Sequence, residues 1–233
     1  MKYSPLDIYI FNNKFFSITE SGFWEETKEA EITEPSNIEN IYLDNPFFTL
    51  IPEELSGHIP IEEKKRFISD EKLELIYLED KISKYQTIIY WGIDKEIKNA
   101  IKKNFPTANL KHFCESMIMS SNFDFQLKYF LGEECIYIAS FNNKKLVLVN
   151  RYKIENSEDS LYFILSVVKE SKFINESFNI EHSGIENKKL VSKLKSVFPE
   201  IMINHNQQSN IKKIVIWELY PGNINLFTFH LTK

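Results

Sequence analysis

The chain has 233 residues, 43% apolar, 14% aromatic and 26% charged, with a formal charge of −5. That balance belongs to a folded protein and excludes a disordered tail, and mild acidity speaks against a nucleic-acid binder working through phosphate contacts. No run approaches the roughly 18 uninterrupted apolar residues of a membrane helix, and MKYSPLDIYIFNN breaks into polar residues too early for a signal peptide. A cytoplasmic protein without membrane insertion is therefore expected, with Cys114 and Cys135 reduced. Glycine is scarce, six residues where about 7% of a chain is usual. Loops that cradle phosphates use glycine to bring the backbone close, so the chain is poor in the parts most nucleotide enzymes need.

In chain order, Leu6–Phe11 and Lys14–Thr19 flank Asn12-Asn13 as a hairpin, and a third strand starts near Phe23. The stretch 36–85 holds three of the eight prolines and much of the charge. Thr87–Trp91 reads as a strand, followed by a helix with Ile97, Ala100, Ile101 and Phe105 on one face, stopped by Pro106. Phe125–Leu131, Cys135–Phe141 and Lys145–Ile154 form an antiparallel meander, joined by Gly132-Glu133-Glu134 and Asn142-Asn143. A helix opened by Ser157 runs to about Ser171, with Glu158 and Asp159 in its first turn and Ile164 and Val168 on its buried face. Then come a strand over Ser177–His182, a helix with Leu190, Leu194 and Phe198 inward, Pro199, and a strand near Glu200–Asn204.

Two segments repeat a pattern: YWGIDKEIKNAIKKNFP at 90–106 and HSGIENKKLVSKLKSVFP at 182–199. Each sets Gly-Ile-acid before a lysine-rich amphipathic helix and Phe-Pro after it, so Gly92 and Gly184 are expected at equivalent strand-to-helix turns. The reading is a duplicated βββαβα unit, with halves at 1–120 and 121–233 and an insertion around 36–85 in the first. Such an α/β chain with mixed sheets has the actin-like (ribonuclease H-like) architecture, its halves facing each other across a cleft.

Particular stretches also resemble a known family. These are FFTLIPEEL from Phe47 to Leu55, NKKLVLVNRYKI from Asn143 to Ile154, EDSLYFIL from Glu158 to Leu165, and Ser183-Gly184 at a strand end. They are similar to the patterns TLVP-x-x-L, N-x-x-L-x-x-x-N-x-F and E-D-x-x-Y-x-x-L of an uncharacterised bacterial family, domain of unknown function 3822. The resemblance covers most of residues 5–200 and implies an actin-like ATPase fold without an established activity.

Actin-like ATPases resemble one another in two Asp-x-Gly phosphate turns and a Gly-Gly adenosine turn, where backbone N–H groups reach phosphates and a carboxylate serves magnesium or water. Here the first turn is Asn12-Asn13-Lys14, without aspartate or glycine, and the second is Gly132-Glu133-Glu134, whose carboxylates repel a triphosphate. The third place offers Ser183-Gly184 ahead of a helix whose dipole Glu186 already serves. These eight residues, Asn12, Asn13, Lys14, Gly132, Glu133, Glu134, Ser183 and Gly184, are the candidate site. Their summed charge of −1 offers no attraction to a magnesium–ATP complex of about −2.

The five histidines show no metal-ligand spacing, and Walker, G-x-G-x-x-G and G-x-S-x-G motifs are lacking. The acidic run Glu25 to Glu34 reads as a solvated face. The expectation is a scaffold or interaction module with a protein partner, no catalytic residues, no metal and no cofactor. The alternative is a residual ATP binder or phosphotransferase using the cleft.

Overall fold

The structure is a computed structural model that describes residues 6–11, 14–18, 24–26, 38–68, 74–119, 123–173, 178–185, 187–199 and 202–205. They form two packed units, one holding the described residues up to Glu115 and the other those from Ser116 onward. The first contains strands β1 (Leu6–Phe11), β2 (Lys14–Ile18), β3 (Trp24–Glu26), β4 (Ile38–Leu43) and β5 (Phe48–Pro52), then short helices α1 (Glu53–Ser56) and α2 (Ile61–Arg66). It continues through β6 (Leu75–Ile82), β7 (Thr87–Asp94), helix α3 (Lys95–Asn104) and β8 (Asn109–His112), and α4 (Phe113–Ile118) straddles the division. The second unit has β9 (Phe125–Leu131), β10 (Cys135–Asn142), β11 (Lys145–Lys153), α5 (Ser157–Glu170), β12 (Asn179–Gly184), α6 (Lys188–Val197) and β13 (Met202–His205).

Each unit is built on a five-stranded mixed sheet, ordered β3-β2-β1-β4-β8 in one and β11-β10-β9-β12-β13 in the other. The strand senses also match: two antiparallel pairings on one side of β1 or β9, two parallel pairings on the other. In the second unit α5 and α6 cover one face, where Leu127, Tyr129, Ile136, Ile138 and Ile180 meet Ile164, Val167, Val168, Leu190 and Leu194. The other face holds buried Lys128, whose ammonium lies 3.2 Å from the Glu181 carboxylate that also accepts from Gln126 at 3.1 Å.

The sequence repeat is a structural repeat only in its second part. Helices α3 and α6 each lead into the outer parallel strand of their sheet. They end alike, at Phe105 (φ −131°, ψ 69°) and Phe198 (φ −128°, ψ 79°), whose N–H groups donate to Ile101 O and Leu194 O. The following proline keeps each phenylalanine out of the helical region. The glycines do not correspond. Gly184 ends β12, a parallel neighbour of β9, whereas Gly92 lies inside β7, the centre of an antiparallel sheet ordered β5-β7-β6. Gly92 answers a packing need instead, since a Cβ there would come within 2.7 Å of Leu75 Cδ1. The strand matching β12 in order is β4, and the third sheet stands between β4 and α3. The polar stretch 36–85 thus includes β4 and stops short of β7, whose run TIIYWGID is too apolar to read as part of an insertion.

On the third sheet Ile51, Ile68 and Tyr90 form a small core with Ile59 and Tyr77. Lys64 of α2 is buried there, donating to Ser56 Oγ at 2.8 Å and Glu79 Oε1 at 3.0 Å while lying 5.5 Å from the Tyr90 ring centre. Hydrogen-bonding its ammonium and laying it on an aromatic face offsets the cost of burying it.

The cap of α5 is Asn156, not Ser157. Its Oδ1 accepts from the N–H groups of Glu158 (2.8 Å) and Asp159 (3.1 Å), and Asp159 Oδ2 accepts in return from Asn156 N–H at 3.2 Å. Ser157 Oγ only donates to the Glu158 carboxylate. Asn156→Ala is therefore expected to lower stability by about 1 kcal/mol in urea unfolding, and Ser157→Ala to leave it nearly unchanged.

Candidate functional site

The structure brings together the five candidate residues of the second unit. Parallel register sets Ser183 beside Phe130 and Gly184 beside Leu131, so the end of β12 adjoins the turn Gly132-Glu133-Glu134 that leaves β9. Backbone bonds within the fold close both features. Gly132 N–H donates to Cys135 O at 2.8 Å across the turn, and Ile185 N–H donates to Leu131 O at 2.7 Å. Ser183 Oγ donates to Tyr129 O at 3.3 Å, and Glu133 and Glu134 are exposed. Gly184 has φ +88°, and a Cβ there would stand 2.2 Å from Leu131 O. It is glycine because β12 turns away while pressed against the β9 backbone. Beyond it, Asn187 Oδ1 accepts from Leu190 N–H at 3.0 Å and caps α6. The helix is therefore opened by Asn187; Glu186 lies outside the described residues.

Asn12 and Asn13 also lie outside the described residues. Lys14 begins β2, its backbone paired with Phe11 in the first unit. At the end of β4 the first unit repeats one detail of the second: Asp44 N–H donates to Ile10 O at 2.9 Å, as Ile185 N–H does to Leu131 O. From there the two chains part. After β12 the chain enters a helix, whereas after β4 it passes through Asp44-Asn45 into the third sheet.

The carboxyl ends of parallel strands are where open α/β sheets usually take ligands. At the ends of β4 and β8 the first unit instead packs a buried polar cluster that sequence reasoning missed. His112 is fully buried and ends β8. Its backbone N–H donates to Asp80 Oδ2 at 2.6 Å, and its ring Nδ1 accepts from Cys114 N–H at 3.2 Å. The ring proton thus sits on Nε2, 2.9 Å from the Asn45 carbonyl it donates to, and the imidazole is neutral. Asn45 Nδ2 donates to Gly92 O at 2.9 Å, its Oδ1 accepts from Phe47 N–H at 2.7 Å, and Gly92 N–H donates to Phe47 O at 2.9 Å. Phe48 and Trp91 wall the imidazole, with ring centres 4.4 and 5.6 Å away. Burial pushes the Asp80 carboxyl up to about 7, and the Glu115 carboxylate adds to the rise. The His112 N–H, the Lys111 ammonium and the nearby Trp91 indole oppose it. The buried Trp91 N–H lies near that carboxyl but outside ordinary hydrogen-bonding geometry to an acceptor among the described residues.

An open depression of about 700 Å³ lies on the third sheet, lined by Pro52, Glu53, Glu54, Tyr85, Gln86 and Thr87, none of them an expected site residue. Among the described residues no cluster of three or more His, Cys, Asp or Glu side chains is placed to hold a metal. Cys114 and Cys135 are buried and form no disulfide.

Sheet order and crossover helices define an actin-like ATPase fold, and a solved structure described by that fold agrees. A Bacteroides thetaiotaomicron protein of unknown function with that fold is 21% identical, at a TM-score of 0.68 over 88% of this chain and 91% of that one. The PilM–PilN type IV pilus biogenesis complex contains a chain 9% identical, at a TM-score of 0.51 over 91% of each. The cytoplasmic domain of EpsL, an inner-membrane component of the Vibrio cholerae type II secretion system, is 9% identical, at 0.45 over 89% of this chain and 88% of that one. No curated protein matches. The family model described as Protein of unknown function (DUF3822) matches residues 36–202, and the chain belongs to that family.

Gly184→Ala combines a strained φ with a backbone clash, and is expected to cost about 2–4 kcal/mol in urea unfolding. Gly57→Ala, where a Cβ meets nothing within 4 Å, should be close to neutral and serves as the control.

Proposed function

We propose that this protein is a non-catalytic interaction module on an actin-like fold, acting in the cytoplasm through a protein partner. The observation that carries this reading is the closure of the second unit's turns. A phosphate bound there needs outward backbone N–H groups. Those of Gly132 and Ile185 already serve Cys135 O and Leu131 O, and the two side chains on the turn are glutamates. In the first unit the ends of β4 and β8 are packed by Phe48, Trp91 and His112. The partner reading draws on the similar chain of the pilus biogenesis complex, described together with a second protein. Among the described residues no helix is long and apolar enough to cross a membrane.

Calorimetric titration with a non-hydrolysable ATP analogue and magnesium tests the proposal. Binding weaker than roughly millimolar, about 4 kcal/mol, is expected, with no hydrolysis of ATP. A micromolar, magnesium-dependent isotherm lost in Lys14→Ala would replace the scaffold reading with a residual nucleotide site.

A further inference from the structure

Among the described residues strand β8 is the outer strand of the first sheet, bonded to β4. Its backbone is tied to the third sheet by a side chain: Asp80, in the outer strand β6, accepts from the His112 N–H at 2.6 Å. Asp80 is 4% exposed, and its carboxyl group stands where Trp91 and the His112 backbone also converge. The charged and titratable groups facing it are Lys111 and His112 of β8, Glu115 of α4 and the Tyr42 hydroxyl of β4. Lys111 is largely committed to Glu115, 3.0 Å from its carboxylate. A second negative charge at Asp80 would therefore be poorly compensated and cut off from water. Asn45 to Gly92 and Asn45 to His112 also fasten this junction, through neutral amide and carbonyl groups, whereas the Asp80 carboxyl changes its charge with one proton.

We propose that Asp80 is a proton-operated latch between the third sheet and β8, sealed when its carboxyl is neutral and loosened when it ionises. Loosening lets water reach the carboxylate by parting β6 from β8, and uncovers Trp91 and His112. The direction is set by linkage. An exposed aspartate titrates near 3.9, and the buried one is raised to about 7. Between those values the closed form binds more protons than the open one, so rising pH favours opening, and the change is complete above the higher value.

The test uses the full chain with Trp24→Phe and Trp217→Phe, which leave Trp91 as the sole tryptophan. Acrylamide quenching of its fluorescence is followed from about pH 5 to about pH 9. A severalfold rise in the quenching constant, centred near neutral pH, is expected. Asp80→Asn keeps an oxygen for the His112 N–H and should hold quenching at its low-pH value throughout. Glu115→Gln removes the neighbouring anion and should move the midpoint to lower pH, which decides the matter if Asp80→Asn fails to fold. A flat profile in the parent, an unchanged transition in Asp80→Asn, or an unmoved midpoint in Glu115→Gln would each overturn the latch.

Discussion

Two strands that run the same way cannot be joined by a hairpin, and this constraint organises both units. Because β9 and β12 are parallel, the chain must cross over the sheet between them, and α5 does so with Ile164, Val167 and Val168 turned inward. The same necessity places α6 between β12 and β13 and α3 between β4 and β8. Since each crossover has one face committed to the sheet, lysines collect on the other, and Lys189 and Lys193 of α6 meet Glu158 of α5 there. Parallel pairing also sets the end of β12 beside the turn after β9.

Elements governed by local periodicity were legible from the residues. The meander at 125–153 shows aromatic and β-branched runs divided by short polar turns, and its strands begin where those runs begin. The Phe-Pro helix ends were legible for the same reason, because a proline restricts the residue before it whatever the fold. The Gly-Ile pairs misled because glycine has more than one physical use: Gly184 supplies a positive φ, whereas Gly92 makes room for Leu75. Side-chain competition hid the cap of α5, as Asn156 and Ser157 are both good capping residues and only backbone geometry separates them. The His112 cluster left one trace. Asp80 falls on the strand row of Leu78 and Ile82, a carboxylate where an apolar residue belongs. Its partners, Asn45, Gly92 and His112, come from segments with no sequence relation, so nothing linear announced them.

The two units use similar sheets and differ in the element that succeeds the strand beside the hairpin's first strand. In one, β12 gives way to a capped helix, and the neighbouring strand β9 ends in a tight acidic turn. In the other, β4 gives way to a folded sheet whose aromatic residues pack the strand ends and whose polar groups are spent on one another. Both arrangements satisfy backbone donors from within.

The ends of the third sheet have a consequence for how the first unit assembles. Pairing β4 with β8 joins Asn40 to Asn109, a far longer loop than the one closed when Asn179 of β12 meets Met202 of β13. Chain entropy makes a loop about three times longer cost about 1 kcal/mol more to close. Strand β5 pairs with β7, Phe48 opposite Trp91, so the intervening segment folds back with its two ends side by side. Once it has folded, β4 and α3 emerge from neighbouring points and the effective loop is short again. The third sheet then acts as a splint, which lowers the chain-entropy cost of pairing β4 with β8.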